Sequence, residues 1–118
     1  MVQSVKIVLN VKFFASEAGN EPVRDWIKRL EPADKKTIGE DIKTVQIGWP
    51  IGMPLVRKMG KDLWEVRIIL PRRIARILFT VVGSDMVLLH GFIKKSQQTP
   101  AEDLALGKSR RREIVNAA

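Results

Sequence analysis

Between Leu63 and Pro100, strand-like apolar patterns carry Glu65, Arg67, Arg73, Arg76, His90, Lys94 and Lys95. A small sheet does not need so many cations to fold, and fixed cations are what negatively charged phosphate oxygens require. Arg76, on a rigid strand, can present a planar fork to two phosphate oxygens at once; its alternatives are a surface position or an ion pair with Glu65 in the neighbouring strand. Period-two geometry puts Glu65 and Arg67 on one face, so both can share a concavity with Arg76. Glu65, the only carboxylate in the strand core, can serve as general base, orient the two arginines, or simply form a cross-strand ion pair. His90 is the only histidine and can act as acid or base near neutral pH. Its setting in Leu88-Leu89-His90-Gly91-Phe92 favours a hydrogen-bonded structural histidine. Lys94 and Lys95 close the last strand on opposite faces, and at least one should reach the site as a point charge.

Other residues extend the same chemistry outwards. Phe92 can stack on an unstacked base, although core packing is the simpler role. Trp64 reads as core and Trp49, beside Pro50, as a packed connector. Lys58, Lys61 and Arg73 are candidate RNA contacts or plain surface charge. There is no P-loop, no paired metal-ligand spacing and no Ser-His-Asp-like set, so neither a metal nor a cofactor is expected. The chain has no cysteine, which excludes thiol catalysis and suits a reducing cytoplasm.

The formal charge of +8 is unevenly placed. Residues 1–53 hold 8 Lys/Arg against 7 Asp/Glu, and residues 54–118 hold 13 against 6. The electropositive half favours a polyanion, with nucleic acid ahead of a membrane surface because the charges sit on strands rather than on one amphipathic basic helix. No apolar run approaches the roughly 20 residues a bilayer requires, so a soluble protein without membrane attachment is expected.

The elements that must position these residues are legible from periodicity. Val5, Ile7, Leu9, Val11 and Phe13 share one face of a first strand. Val23, Trp26, Ile27 and Leu30 mark a helix opening at Glu21-Pro22, and Ile38, Ile42 and Val45 mark a second after Glu31-Pro32, with Gly48 as its stop. Trp49 to Pro54 is a connector. Strands follow over Leu55–Lys58, Leu63–Leu70, Ile74–Val82 and Met86–Ile93, with a three-residue hairpin at Gly83-Ser84-Asp85. Ala101–Ala118 should be a helix with a capping box from Thr99 to Glu102, a thin stripe of Leu104, Leu106, Ile114 and Val115, a weak point at Gly107, and a solvated Arg110-Arg111-Arg112 face. The expected fold is α+β: one domain over residues 1–118, with an N-terminal strand and helical hairpin, an antiparallel β meander and a loosely docked C-terminal helix.

The runs Lys58-Met-Gly-Lys-Asp-Leu-Trp-Glu-Val-Arg67, Arg76-Ile-Leu-Phe79, Leu88-Leu-His-Gly-Phe-Ile-Lys-Lys95 and Gln98-Thr-Pro100 resemble the RelE/ParE superfamily of bacterial toxins, most nearly its HigB-like branch with phage-derived relatives. The resemblance implies a RelE-like fold and a ribosome-dependent, metal-free endoribonuclease that cuts mRNA during translation, held inactive by a helix-turn-helix antitoxin. It also implies catalytic roles for Arg76, which matches the recurrent third-strand arginine, for Arg67, at a position often basic, and for Lys95, slightly ahead of Lys94. Such cleavage needs the ribose 2′-oxygen to attack the adjacent phosphorus while charge on the phosphate and the departing 5′-oxygen is stabilised. Some members use a C-terminal histidine or tyrosine as acid, and this chain has no tyrosine and no histidine at its end. Two other readings stand beside this one: a ParE-like DNA gyrase inhibitor, and a non-catalytic nucleic-acid-binding module.

Overall fold

A computed structural model describes residues 6–94 and 98–117. Its elements are β1 (Asn10–Phe13), α1 (Pro22–Lys28), α2 (Pro32–Gly48), β2 (Val56–Gly60), β3 (Leu63–Leu70), β4 (Arg73–Val82), β5 (Asp85–Lys94) and α3 (Ala101–Ala117). The α+β order is as expected. One five-stranded sheet runs β1-β5-β4-β3-β2. β2 to β5 form the antiparallel meander, while β1 pairs in parallel with β5, which makes the sheet mixed.

Local chemistry sets most boundaries. Both α1 and α2 open on proline, whose fixed φ and missing N–H suit a first helical position. Helix α2 buries Ile38, Ile42 and Val45 and ends at Gly48. The β3–β4 hairpin turns at Pro71-Arg72, with Arg72 at φ 61°. The β4–β5 loop has two residues rather than the expected three, because Val82 pairs with Asp85 and Gly83 takes φ 60°. The first strand is shorter than its alternation suggests. Val8 and Leu9 donate their N–H groups to the Gln46 carbonyl at the end of α2, Ile7 is exposed, and Val5 lies outside the described residues. Strand β2 is displaced to Val56–Gly60, although the Leu55 carbonyl still accepts from the Arg67 N–H at 2.8 Å.

The sheet separates two apolar layers. Against α1 and α2 lie Val66, Ile68, Leu70, Ala75, Ile77, Phe79, Met86 and Leu88. Against α3 lies a smaller cluster of Phe14, Leu63, Leu78, Val87, Leu89 and Phe92, with Leu104 and Ile114 packed on it. A bulge shifts the phase of β5: Phe79 pairs with Leu88 but Leu78 pairs with His90, leaving Leu89 extra. Beyond it, His90 and Phe92 face α3, while Gly91 lies beneath Trp26 so closely that a Cβ would stand 2.5 Å from the ring.

Helix α3 departs from expectation in how it is held. Gly107, read as a weak point, is buried at the closest approach, where a Cβ would lie 2.6 Å from Leu78 Cδ1. Arg110 donates to the Leu89 carbonyl at 2.8 Å and lies 5.5 Å from the Phe14 ring centroid, and Arg111 donates to Asp62 at 3.2 Å. Burial lowers the Arg110 pKa from its ordinary value while Glu113 draws it back. Of the three arginines only Arg112 is classed as exposed, so the solvated face is corrected to a docked one. The capping role expected of Thr99 is corrected as well. Its hydroxyl donates to Glu65, and the first helical bond runs from the Leu104 N–H to the Pro100 carbonyl.

Candidate nucleic-acid interface

On the α3 side of the sheet, register sets two adjacent cross-strand rows: Glu65–Leu78–His90 and Arg67–Arg76–Phe92. The strands therefore bring Glu65, Arg67, Arg76 and His90 onto one surface, as period-two reasoning placed Glu65 with Arg67 and allowed for Arg76.

Arg76 does not project as an open fork. It is 1% exposed, and its Nη1 donates to Glu65 Oε1 at 3.1 Å and to Thr99 Oγ1 at 3.3 Å. Thr99 in turn donates to Glu65 Oε2, which closes a ring of three side chains. The cause is the approach to α3, which brings Thr99 onto the pair. Of the alternatives open for Arg76, the ion pair with Glu65 is the one realised. Both Glu65 oxygens are engaged and the residue is 0% exposed, an arrangement that orients Arg76 and leaves no free carboxylate to act as base.

Arg67 stands directly opposite Arg76. It is half-buried, its Nε is buried without a hydrogen-bond partner, and it makes no ion pair among the described residues. Like charges directly opposite across a sheet repel. Glu65 balances one of the two arginines, which leaves the Arg67 guanidinium unspent in this row. Beyond it Ile69 is 72% exposed, a large apolar side chain at the rim of the charged row.

His90 is held on two sides. Its Nε2 lies 2.7 Å from Asp103 Oδ1, and its ring stacks on Phe92 with centroids 5.2 Å apart and planes at 23°. Phe92 belongs to the α3-side core and is 8% exposed, so core packing is realised in place of an open base platform. Arg73 lies off this surface. It donates to both oxygens of the buried Asp34 carboxylate at 3.0 and 3.1 Å, tying β4 to α2. Trp49, Trp64 and Phe79 form a ring cluster on the α2 side, matching the reading of the two tryptophans as packing residues. Lys58 on β2 and Lys61 in the following turn are exposed. Lys94 ends β5 in register with Ile74, and Lys95 lies outside the described residues.

Thr99 and Asp103 were not among the expected site residues. Thr99 carried the signal of a helix start and a place in the Gln98-Thr-Pro100 run, and Asp103 carried none. A surface groove lined by Phe14, Ser16, Glu17, Glu113 and Ile114 sits at the far end of α3 and contains none of the residues above. Among the described residues no helix is long and apolar enough to cross a membrane. A family model described as Phage derived protein Gp49-like (DUF891) matches residues 25–112. No curated protein matches the chain.

Proposed function

The chain belongs to this Gp49-like family, part of the wider RelE/HigB-like toxin family, and we propose that it is a HigB-like toxin that cuts mRNA on the ribosome. One observation carries the reading. Arg67 and Arg76 face each other across β3 and β4, only Arg76 is neutralised by Glu65, and Arg67 is left to meet an external anion on the face that also carries His90. In the proposed reaction the 2′-hydroxyl gives up its proton, its oxygen bonds to the adjacent phosphorus, and the P–O5′ bond breaks. The 5′-oxygen takes a proton, leaving a 2′,3′-cyclic phosphate and a 5′-hydroxyl. Arg67 holds the non-bridging oxygens, Arg76 and Glu65 fix the electrostatic floor beneath them, and His90 handles a proton. Lys58 and Lys61 would contact RNA phosphates, with Lys94 or Lys95 adding charge at the end of β5. A helix-turn-helix antitoxin is the proposed inhibitor, and the cytoplasm the proposed compartment.

The enclosure of Arg76 favours one competing reading, a ParE-like gyrase binder with no catalysis. Adding the protein, free of antitoxin, to a cell-free translation reaction and mapping mRNA 5′ ends separates the two. Cuts that require ribosomes and are lost in Arg67→Ala support the nuclease. Intact mRNA from folded protein removes it and directs the work to gyrase supercoiling assays.

A further inference from the structure

The contact between His90 and Asp103 joins the last strand to a helix that the sequence reading had left at the margin of the site. A neutral imidazole carries its proton on one nitrogen or the other, and the partner of one nitrogen decides the chemistry of the other. Asp103 Oδ1 lies 2.7 Å from Nε2, and an ionised carboxylate there can only accept, which assigns the N–H to Nε2. Nδ1 makes no hydrogen bond among the described residues. Stacking on Phe92 fixes the plane of the same ring.

We infer that Asp103 is a positioning residue: it holds the Nε2–H of His90 on its carboxylate and leaves Nδ1 as the atom that exchanges a proton with the RNA. The inference rests on the nuclease reading. His90 and Arg67 lie on the same face, two strands and one row apart, a backbone separation of about 12 Å at the usual spacings. An extended arginine covers more than half of that gap, so Arg67 and Nδ1 can address opposite sides of one phosphodiester. Because Asp103 belongs to α3, the docking of α3 completes the site. Thr99, just before α3, encloses Arg76, and Asp103 in the first turn of α3 orients the proton-transfer group.

The chain has a single histidine, so a long-range nitrogen–proton NMR spectrum reads its tautomer without assignment. The full-length protein should show Nε2–H, and Asp103→Ala should return His90 to a mixture while lowering ribosome-dependent cleavage about 10- to 100-fold. Asp103→Asn, which retains an acceptor of the same shape, should recover part of both. Arg111→Ala cuts a different tether of α3, to Asp62, and should leave the tautomer unchanged, which separates orientation of His90 from docking of the helix. Circular dichroism confirms folding of each variant. A wild-type Nδ1–H tautomer, or an Asp103→Ala variant that cleaves as wild type does, overturns the inference. Wild-type protein that leaves mRNA intact overturns the nuclease reading instead, and the tautomer still decides the orientation claim.

Discussion

Removing Arg76 should damage the fold before it informs on catalysis. Its side chain and that of Glu65 are each 1% exposed, and Glu65 would be left with the Thr99 hydroxyl alone. An uncompensated buried charge of this kind costs about 3–5 kcal/mol. For a 118-residue domain the whole folding free energy is on the order of 5–15 kcal/mol, so Arg76→Ala should remove roughly a fifth of it or more. Replacing both partners by apolar side chains, Arg76→Met with Glu65→Leu, takes away the charge as well as its partner and should change stability by less than about 2 kcal/mol. Urea unfolding followed by tryptophan fluorescence measures this directly, since Trp49 and Trp64 sit edge-to-face at 5.0 Å on the other side of the sheet. A loss below about 1 kcal/mol in Arg76→Ala, or a double variant less stable than the single, would refute the argument that Glu65 and Arg76 form a closed buried pair.

Arg67→Ala should lower stability by less than about 1 kcal/mol, because it relieves repulsion from Arg76, while abolishing most cleavage; denaturation beside the translation assay reads both. Gly91→Ala should destabilise by about 1–3 kcal/mol, as its methyl group meets the Trp26 ring, and a thermal melt would show it. Arg73→Ala breaks the pair with Asp34 and should cost about 1.5–3 kcal/mol with per-molecule cleavage unchanged; reduced cleavage by folded protein would return Arg73 to the RNA surface. Burial, and secondarily Glu40, raise the Asp41 pKa from its ordinary value of 3.8. A raised carboxylate pKa opposes folding above the folded value and ceases to do so as pH falls below the unfolded one. Asp41→Asn should therefore stabilise slightly at pH 7, with the advantage fading as pH drops towards 3.8 in matched unfolding curves.

Much of the framework could be read from residue patterns, and the misses share a cause. Helix α2 was bounded correctly because Pro32 and Gly48 act locally, and β3 and β4 followed from alternation. The face of His90 could not be read that way. Counting by twos from Met86 puts it with Leu88 on the α2 side, and only the extra residue at Leu89 turns it towards α3. The enclosure of Arg76 was equally hidden, because α3 is seated largely by Arg110, Arg111, Asp103 and a close glycine rather than by an apolar stripe that hydropathy would reveal. The Arg73–Asp34 pair joins residues far apart in sequence, and no local pattern announces it.

The parallel seating of β1 beside β5 has a consequence for how the molecule comes into being. Asn10–Phe13 finds its partners only at Asp85–Leu88, so an emerging nascent chain holds its first strand unpaired through the synthesis of both early helices and most of the meander. Pairings that distant are slow to form. The sheet closes only after β5 has left the exit tunnel, and Thr99 and then α3, which carries Asp103, follow later still. A chain whose proposed target is the translating ribosome thus completes its reactive surface only once β5 and α3 have both emerged.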